Sequence, residues 1–150
     1  MKPNFFAAMV GVILFLTGCE SMPDRFSAVP PEVQILEGDV EAVHAAAQKA
    51  FRRLDLRIIR APMGRVEAAS AINTSETFGD SRQIVARVRI APAEPGKSRV
   101  ELTVTEEVGS VSVGGTRQQA LREHSLFGLY FTTLQQVLRE RAAPGAADEN

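Results

Sequence analysis

Few side chains in this sequence could do chemistry: one cysteine, Cys19, two histidines, His44 and His124, and scattered serines and carboxylates. A metal site needs several nitrogen, sulfur or carboxylate ligands to converge, and neither a His-Glu-x-x-His run nor a cysteine pair is present, so no metal is expected. Ser125 follows His124 directly, but adjacent helical residues point about 100° apart. No Gly-x-Ser-x-Gly elbow holds a nucleophile. Gly96-Lys97-Ser98 imitates the end of a phosphate loop, yet Ala91 stands where its leading glycine belongs. That segment also joins two expected strands instead of opening a helix, so it reads as a hairpin turn. Gly109, Gly114 and Gly115 do not spell a dinucleotide fingerprint. Glu106 and Glu107 fall on opposite faces of a strand end and cannot share an acid–base site. His44 and His124 read as packed or rim histidines. No catalytic or cofactor-binding set emerges, and a non-enzymatic protein is expected.

Cys19 is different because of what precedes it. Lys2 is the only charge in a short start, and Phe5 to Leu16 is apolar, broken only by Gly11. The stretch is shorter than the roughly 20 apolar residues a spanning helix needs, and it matches the apolar core of a signal peptide. Leu16-Thr17-Gly18-Cys19 then resembles the lipobox of bacterial lipoproteins. This resemblance implies that residues 1–18 are removed as a signal peptide and that Cys19 becomes the first residue of the mature chain. Its thiol would carry diacylglycerol and its amino group a further acyl chain such as palmitate. Each buried methylene of such chains contributes about 0.8 kcal/mol, so several chains make a permanent anchor without a spanning helix. The implied location is the bacterial cell envelope, at the periplasmic face of a membrane. Glu20 stands where some bacteria read an inner-membrane retention signal that is usually Asp, which leaves inner and outer membrane both open. A lone thiol cannot form an internal disulfide.

The elements beyond the leader are those of one domain. The chain has 150 residues, a net charge of −1 and 45% hydrophobic residues, which excludes a large multidomain enzyme. It also lacks the basic run of a nucleic-acid binder. Residues 19–31, with Pro23, Pro30 and Pro31, read as the lipidated cysteine and a tether. Residues 32–141 read as an α+β domain, and residues 142–150, with Pro144-Gly145, as a disordered tail.

Val33 to Leu36 predicts a strand, and Gly38-Asp39 a turn and helix cap. Val40, Val43, Ala47, Phe51 and Leu54 make one stripe of a helix from Asp39 to about Leu54. Four period-two segments follow. Leu56 and Ile58 share a face in the first, with Ile59 breaking the pattern, and Val66, Ala68, Ser70 and Ile72 in the second. Ile84, Ala86, Val88 and Ile90 share one in the third, and Val100, Leu102 and Val104 in the fourth. Arg87 or Arg89 is expected to pair with Glu101 across the exposed face. Val108 to Val113 reads as a last edge strand or a mobile loop. Thr116 and Gln119 match a capping box, predicting a long helix to about Arg141 with the stripe Ala120, His124, Phe127, Phe131, Leu134 and Leu138, widened by Tyr130 and Val137. The expected fold is a two-layer antiparallel sheet of four to five strands with two helices on one face, in the order β-α-β-β-β-β-α.

That order, with the lipobox, resembles the helix-grip modules of BamC-like periplasmic lipoproteins over roughly Glu32 to Arg141. It implies an accessory or structural interaction domain with an envelope protein partner. Two features are candidates for partner contact. Phe78 either tucks under the sheet or stands out as an anchor. Leu126 and Leu129, with Leu121, fall off the main helix stripe and either touch a partner or widen the core contact. The alternative function is a carrier holding an apolar ligand between sheet and C-terminal helix, lined by Ile84, Val88, Leu102, Phe127, Tyr130 and Phe131.

Overall fold

A computed structural model describes residues 29–75, 79–110 and 115–143. Its element order is β1 (Glu32–Glu37), α1 (Val40–Arg53), β2 (Arg57–Arg60), β3 (Arg65–Ala69), β4 (Asn73–Thr74), β5 (Ser81–Pro92), β6 (Lys97–Ser110), β7 (Gly115–Ala120) and α2 (Ser125–Ala142). The signal peptide, Cys19, Phe78 and nearly all of the expected tail lie outside the described residues.

The first helix forms where local chemistry requires it. The Asp39 carboxylate accepts a hydrogen bond from the Ala42 amide at 2.7 Å, capping α1, and Glu41 at its start and Arg52 and Arg53 at its end complement the helix dipole. Ala46, Ala47 and Ala50 are fully buried beside Val43 and Phe51. Such small residues let the helix axis approach the sheet closely.

Among the described residues, all strands pair antiparallel in one sheet of seven. The β5–β6 hairpin is its spine. One side of β6 runs along β5, and the other takes β1 along Lys97–Leu102 and then β7 along Thr105–Ser110, end to end. The far side of β5 likewise takes β3 and then β4, and β2 closes that edge. The register shifts between Ile58 and Arg60, so Ile59 sits in a bulge, which explains why it interrupts the alternation. Both helices cover one face. α1 lies over β2, β3, β5 and β6, while α2 packs mainly on α1 and reaches the sheet at β1 and β6. The core between them contains Val66, Ala68, Val88, Val100, Leu102 and Val104 from the sheet, and Phe51, Tyr130, Phe131, Leu134 and Val137 from the helices.

The α+β class is as expected, but the sheet has more strands than four to five and the order becomes β-α-β-β-β-β-β-β-α. Two short polar strands make the difference. β4 forms in a stretch expected to be loop, and Ser70 and Ile72 lie beyond the end of β3 instead of within it. β7 forms where the capping box was expected, so Thr116 and Gln119 are strand residues. The helix begins nine residues further on, at Ser125, capped by His124, whose Nδ1 accepts from the Leu126 amide at 3.1 Å. β6 outruns β1 by half its length, and β7 satisfies the backbone groups that would otherwise be bare along Thr105–Ser110. Of the Val108–Val113 segment, residues 108–110 belong to β6 and the rest lies outside the described residues.

Candidate functional site

Among the described residues, those with chemistry-bearing side chains do not converge. Lys97 sits at the end of the β5–β6 turn with its ammonium 2.9 Å from Glu94, and Gly96 adopts the positive φ of +75° that this turn needs. Ser98 is buried and donates to the Gly38 carbonyl at 2.9 Å. Glu106 lies 3.7 Å from Arg82, whereas Glu107 on the other face accepts from Gln118 at 2.7 Å. His44 is buried with Nδ1 3.4 Å from the Gln48 amide, and His124 is an exposed helix cap. Among the described residues, no three His, Cys, Asp or Glu side chains group as metal ligands would, and no helix is long and apolar enough to cross a membrane.

The residues named for a ligand cavity pack on one another. The Phe51 and Tyr130 rings lie 4.5 Å apart and the Tyr130 and Phe131 rings 5.6 Å apart, with Val88, Leu102 and Phe127 in the same buried cluster and Ile84 at its margin. The Tyr130 hydroxyl is buried without a hydrogen-bond partner among the described residues, and burial pushes its ionisation above the usual phenol range, so it stays neutral. Leu126, expected to be a contact for a partner, is 8% exposed and belongs to the core; Leu129 is 54% exposed and does face outward. The burial of Leu126 follows from spacing: it lies four and eight residues before the buried Tyr130 and Leu134, so the inner side of α2 is wider than the expected stripe.

A groove of about 660 Å³ opens beside β1, walled by Ile35 to Gly38 and Ala42 on one side and by Gln135, Leu138, Arg139, Arg141 and Ala142 on the other. Gln135, Leu138, Arg139 and Ala142 recur at the spacing of one helix face. Among the described residues β1 pairs only with β6, so its outer edge presents unpaired amides and carbonyls to this groove. Ile35 is 57% exposed at the rim. Gln135 donates to Gln34 at 3.2 Å, and Arg141 to the Ala42 carbonyl at 2.9 Å, which fixes the end of α2 relative to β1 and α1. A strand edge flanked by a helix can accept an extended chain by strand addition, with side-chain specificity coming from Leu138, Ala142 and the arginines. No sequence pattern announces it.

A second clamp sets the spacing of the two helices. Arg53 donates two bonds to Glu140, at 2.9 and 2.7 Å, and Lys49 stands 3.7 Å away. The Arg53 hydrogen bonds hold the Glu140 carboxyl down to about 2 from its ordinary 4.5. A carboxylate with a lowered folded-state pKa stabilises above its unfolded value and loses that contribution as pH falls through the folded one. Thermal melts should therefore show this pair's contribution unchanged above about pH 5 and lost between pH 4.5 and 2. Glu140→Gln should flatten that part of the profile; an identical acid profile in the variant would refute the assignment.

The face of the sheet turned away from the helices is charged. Glu67 bridges Arg60 at 2.9 Å and Arg87 at 3.1 Å, and Arg87 also donates to Thr105 at 3.2 Å. The expected pairing with Glu101 is not the one formed. Arg89 does lie opposite Glu101 in register, but Glu101 is taken by Arg99 of its own strand at 3.0 Å, and Arg87 turns to Glu67 on β3. β5 lies between β3 and β6, so its arginines have acids on both sides to choose from.

No family model matches the chain, and no curated protein matches it. Among solved structures, the chain is similar to the adenylate sensor from AMP-activated protein kinase in complex with 5-aminoimidazole-4-carboxamide 1-beta-D-ribofuranotide. The two are 15% identical with a TM-score of 0.35, over 72% of this chain and 92% of that one. It is also similar to a DUF4468 family protein from Bacteroides ovatus ATCC 8483, with 14% identity and a TM-score of 0.33, over 77% of this chain and 86% of that one. Likeness at this level says nothing of what the chain does.

Proposed function

We propose that the chain is a lipoprotein of the bacterial cell envelope, anchored at the periplasmic face of a membrane through lipid on Cys19. Its domain is a non-enzymatic structural or accessory module that binds an envelope protein through the groove between β1 and α2. The outer edge of β1, unpaired among the described residues beside that groove, carries this reading, because an open strand edge walled by a helix is a binding element in its own right. The anchor supports it from the sequence side: Leu16-Thr17-Gly18-Cys19 stands before a proline-bearing tether that leads to β1.

The test is affinity capture of the lipidated protein from gently solubilised membranes, beside Ala142→Lys and Arg139→Glu. Ala142 and Arg139 line the groove and are exposed, and surface changes of this kind move stability by about 0.5 kcal/mol or less. A partner held by the wild type and lost from both variants, with unchanged melting temperatures, is the expected result. Retention of the same partner by both variants would remove the groove from the account.

A further inference from the structure

On the open face of the sheet Arg65 and Arg89 stand directly opposite each other on β3 and β5. Both are exposed, and neither guanidinium group makes a hydrogen bond or ion pair among the described residues. Like charges directly opposed across strands cost stability, and the acid nearest in register, Glu101, is already held by Arg99. The same register row ends in Val33 of β1, 39% exposed, and the next row runs from Ala91 through Arg99 to Ile35. The patch thus combines uncompensated guanidinium groups with bare aliphatic side chains at one edge.

We infer that this patch rests on the anionic phospholipid surface of the membrane to which the chain is anchored. The inference extends the anchored reading above. Guanidinium groups pair with lipid phosphates in a forked geometry, and Val33 and Ile35 add an apolar contact at the depth of the headgroups. The position of the patch favours a bilayer over an acidic protein. The chain from Cys19 enters the domain at β1, the strand that carries Val33 and Ile35, and the stretch from Cys19 to Glu32 spans at most about 45 Å when extended. An anchored domain on so short a lead is held within reach of the headgroups. With this face on the membrane, the helices face away from it.

The test uses the chain from residue 19 to 150 bearing Cys19→Ala, which contains every described element but no site for acylation. It is mixed with vesicles of phosphatidylcholine alone or with phosphatidylglycerol added, and sedimented. Binding to the anionic vesicles only, weakening as salt rises, is expected. The double variant Arg65→Ser/Arg89→Ser should bind about 25-fold more weakly, at roughly fivefold per arginine near the surface. Arg52→Ser, on the exposed side of α1, should bind as the parent does. Equal binding to both vesicle types, no binding to either, or equal loss from Arg52→Ser would overturn the inference. Arginine-dependent binding to polyglutamate without binding to vesicles would overturn it too and assign the face to an acidic protein. Because this chain has no lipid, failure here leaves the acylation of Cys19 to be judged by its own mass.

Discussion

Phe51→Ala is expected to lower the stability of the domain by about 3–5 kcal/mol. Phe51 is fully buried on α1 and lies 4.5 Å from the Tyr130 ring of α2, at the point where both helices meet the sheet. Its removal withdraws one of the two largest fully buried side chains and opens a cavity between rigid neighbours. The surrounding alanines, Ala46, Ala47 and Ala50, have no side chain long enough to fill it. For a domain whose whole stability is of order 5–15 kcal/mol, this lowers the melting temperature by roughly 10–25 °C. Phe51→Leu keeps much of the volume and should cost clearly less. Calorimetric or denaturant unfolding of the three proteins checks the ordering. A loss below about 1 kcal/mol for Phe51→Ala would mean that the helices are not seated on the sheet through this contact.

Cys19→Ala is expected to abolish acylation entirely. The thiol is the only one in the chain, so no neighbouring group can take over as the site of thioether formation. In a bacterium fed labelled palmitate, the wild-type chain should carry the label. The variant should carry none and should keep residues 1–18, since in the lipoproteins this segment resembles the cysteine is modified before cleavage. Label persisting on the variant would place the lipid elsewhere or refute it. The effect is all-or-none, because a single covalent bond decides it, whereas the core substitution is graded.

Those two predictions rest on features of different legibility. The first helix could be read closely: Asp39 as its cap, the acid and bases at its ends, and the Val43–Ala47–Phe51 stripe all follow from local rules, and the structure places them accordingly. β5 and β6 were likewise visible as alternation, because each has one face on the core and one exposed. β7 was not visible. Thr116, Arg117, Gln118 and Gln119 carry no apolar alternation, and the strand exists because β6 extends past β1 and offers it an edge. That is a tertiary cause, and Thr116 with Gln119 imitated a helix start by coincidence of spacing. The true start uses His124, an uncommon cap that few would pick from sequence.

Partner choice among charges shows the same limit. Alternation puts Arg87, Arg89 and Glu101 on one face, but only the strand order, with β5 between β3 and β6, gives Arg87 to Glu67 and leaves Arg89 unpaired. The groove was beyond reach for a similar reason. Gln34 and Gln135 meet across it from distant parts of the chain, and no local pattern encodes their approach. Of the two readings open for Leu126, its burial favours the widened core contact, whereas Leu129 is exposed.

The central claim is that Cys19 anchors this domain to a membrane, and the intact mass of the protein extracted from bacterial membranes tests it most directly. The account predicts a single species beginning at Cys19, carrying diacylglycerol on the thiol and an acyl chain on the amino group. A species that retains residues 1–18, or one cut at another position and free of lipid, would contradict it.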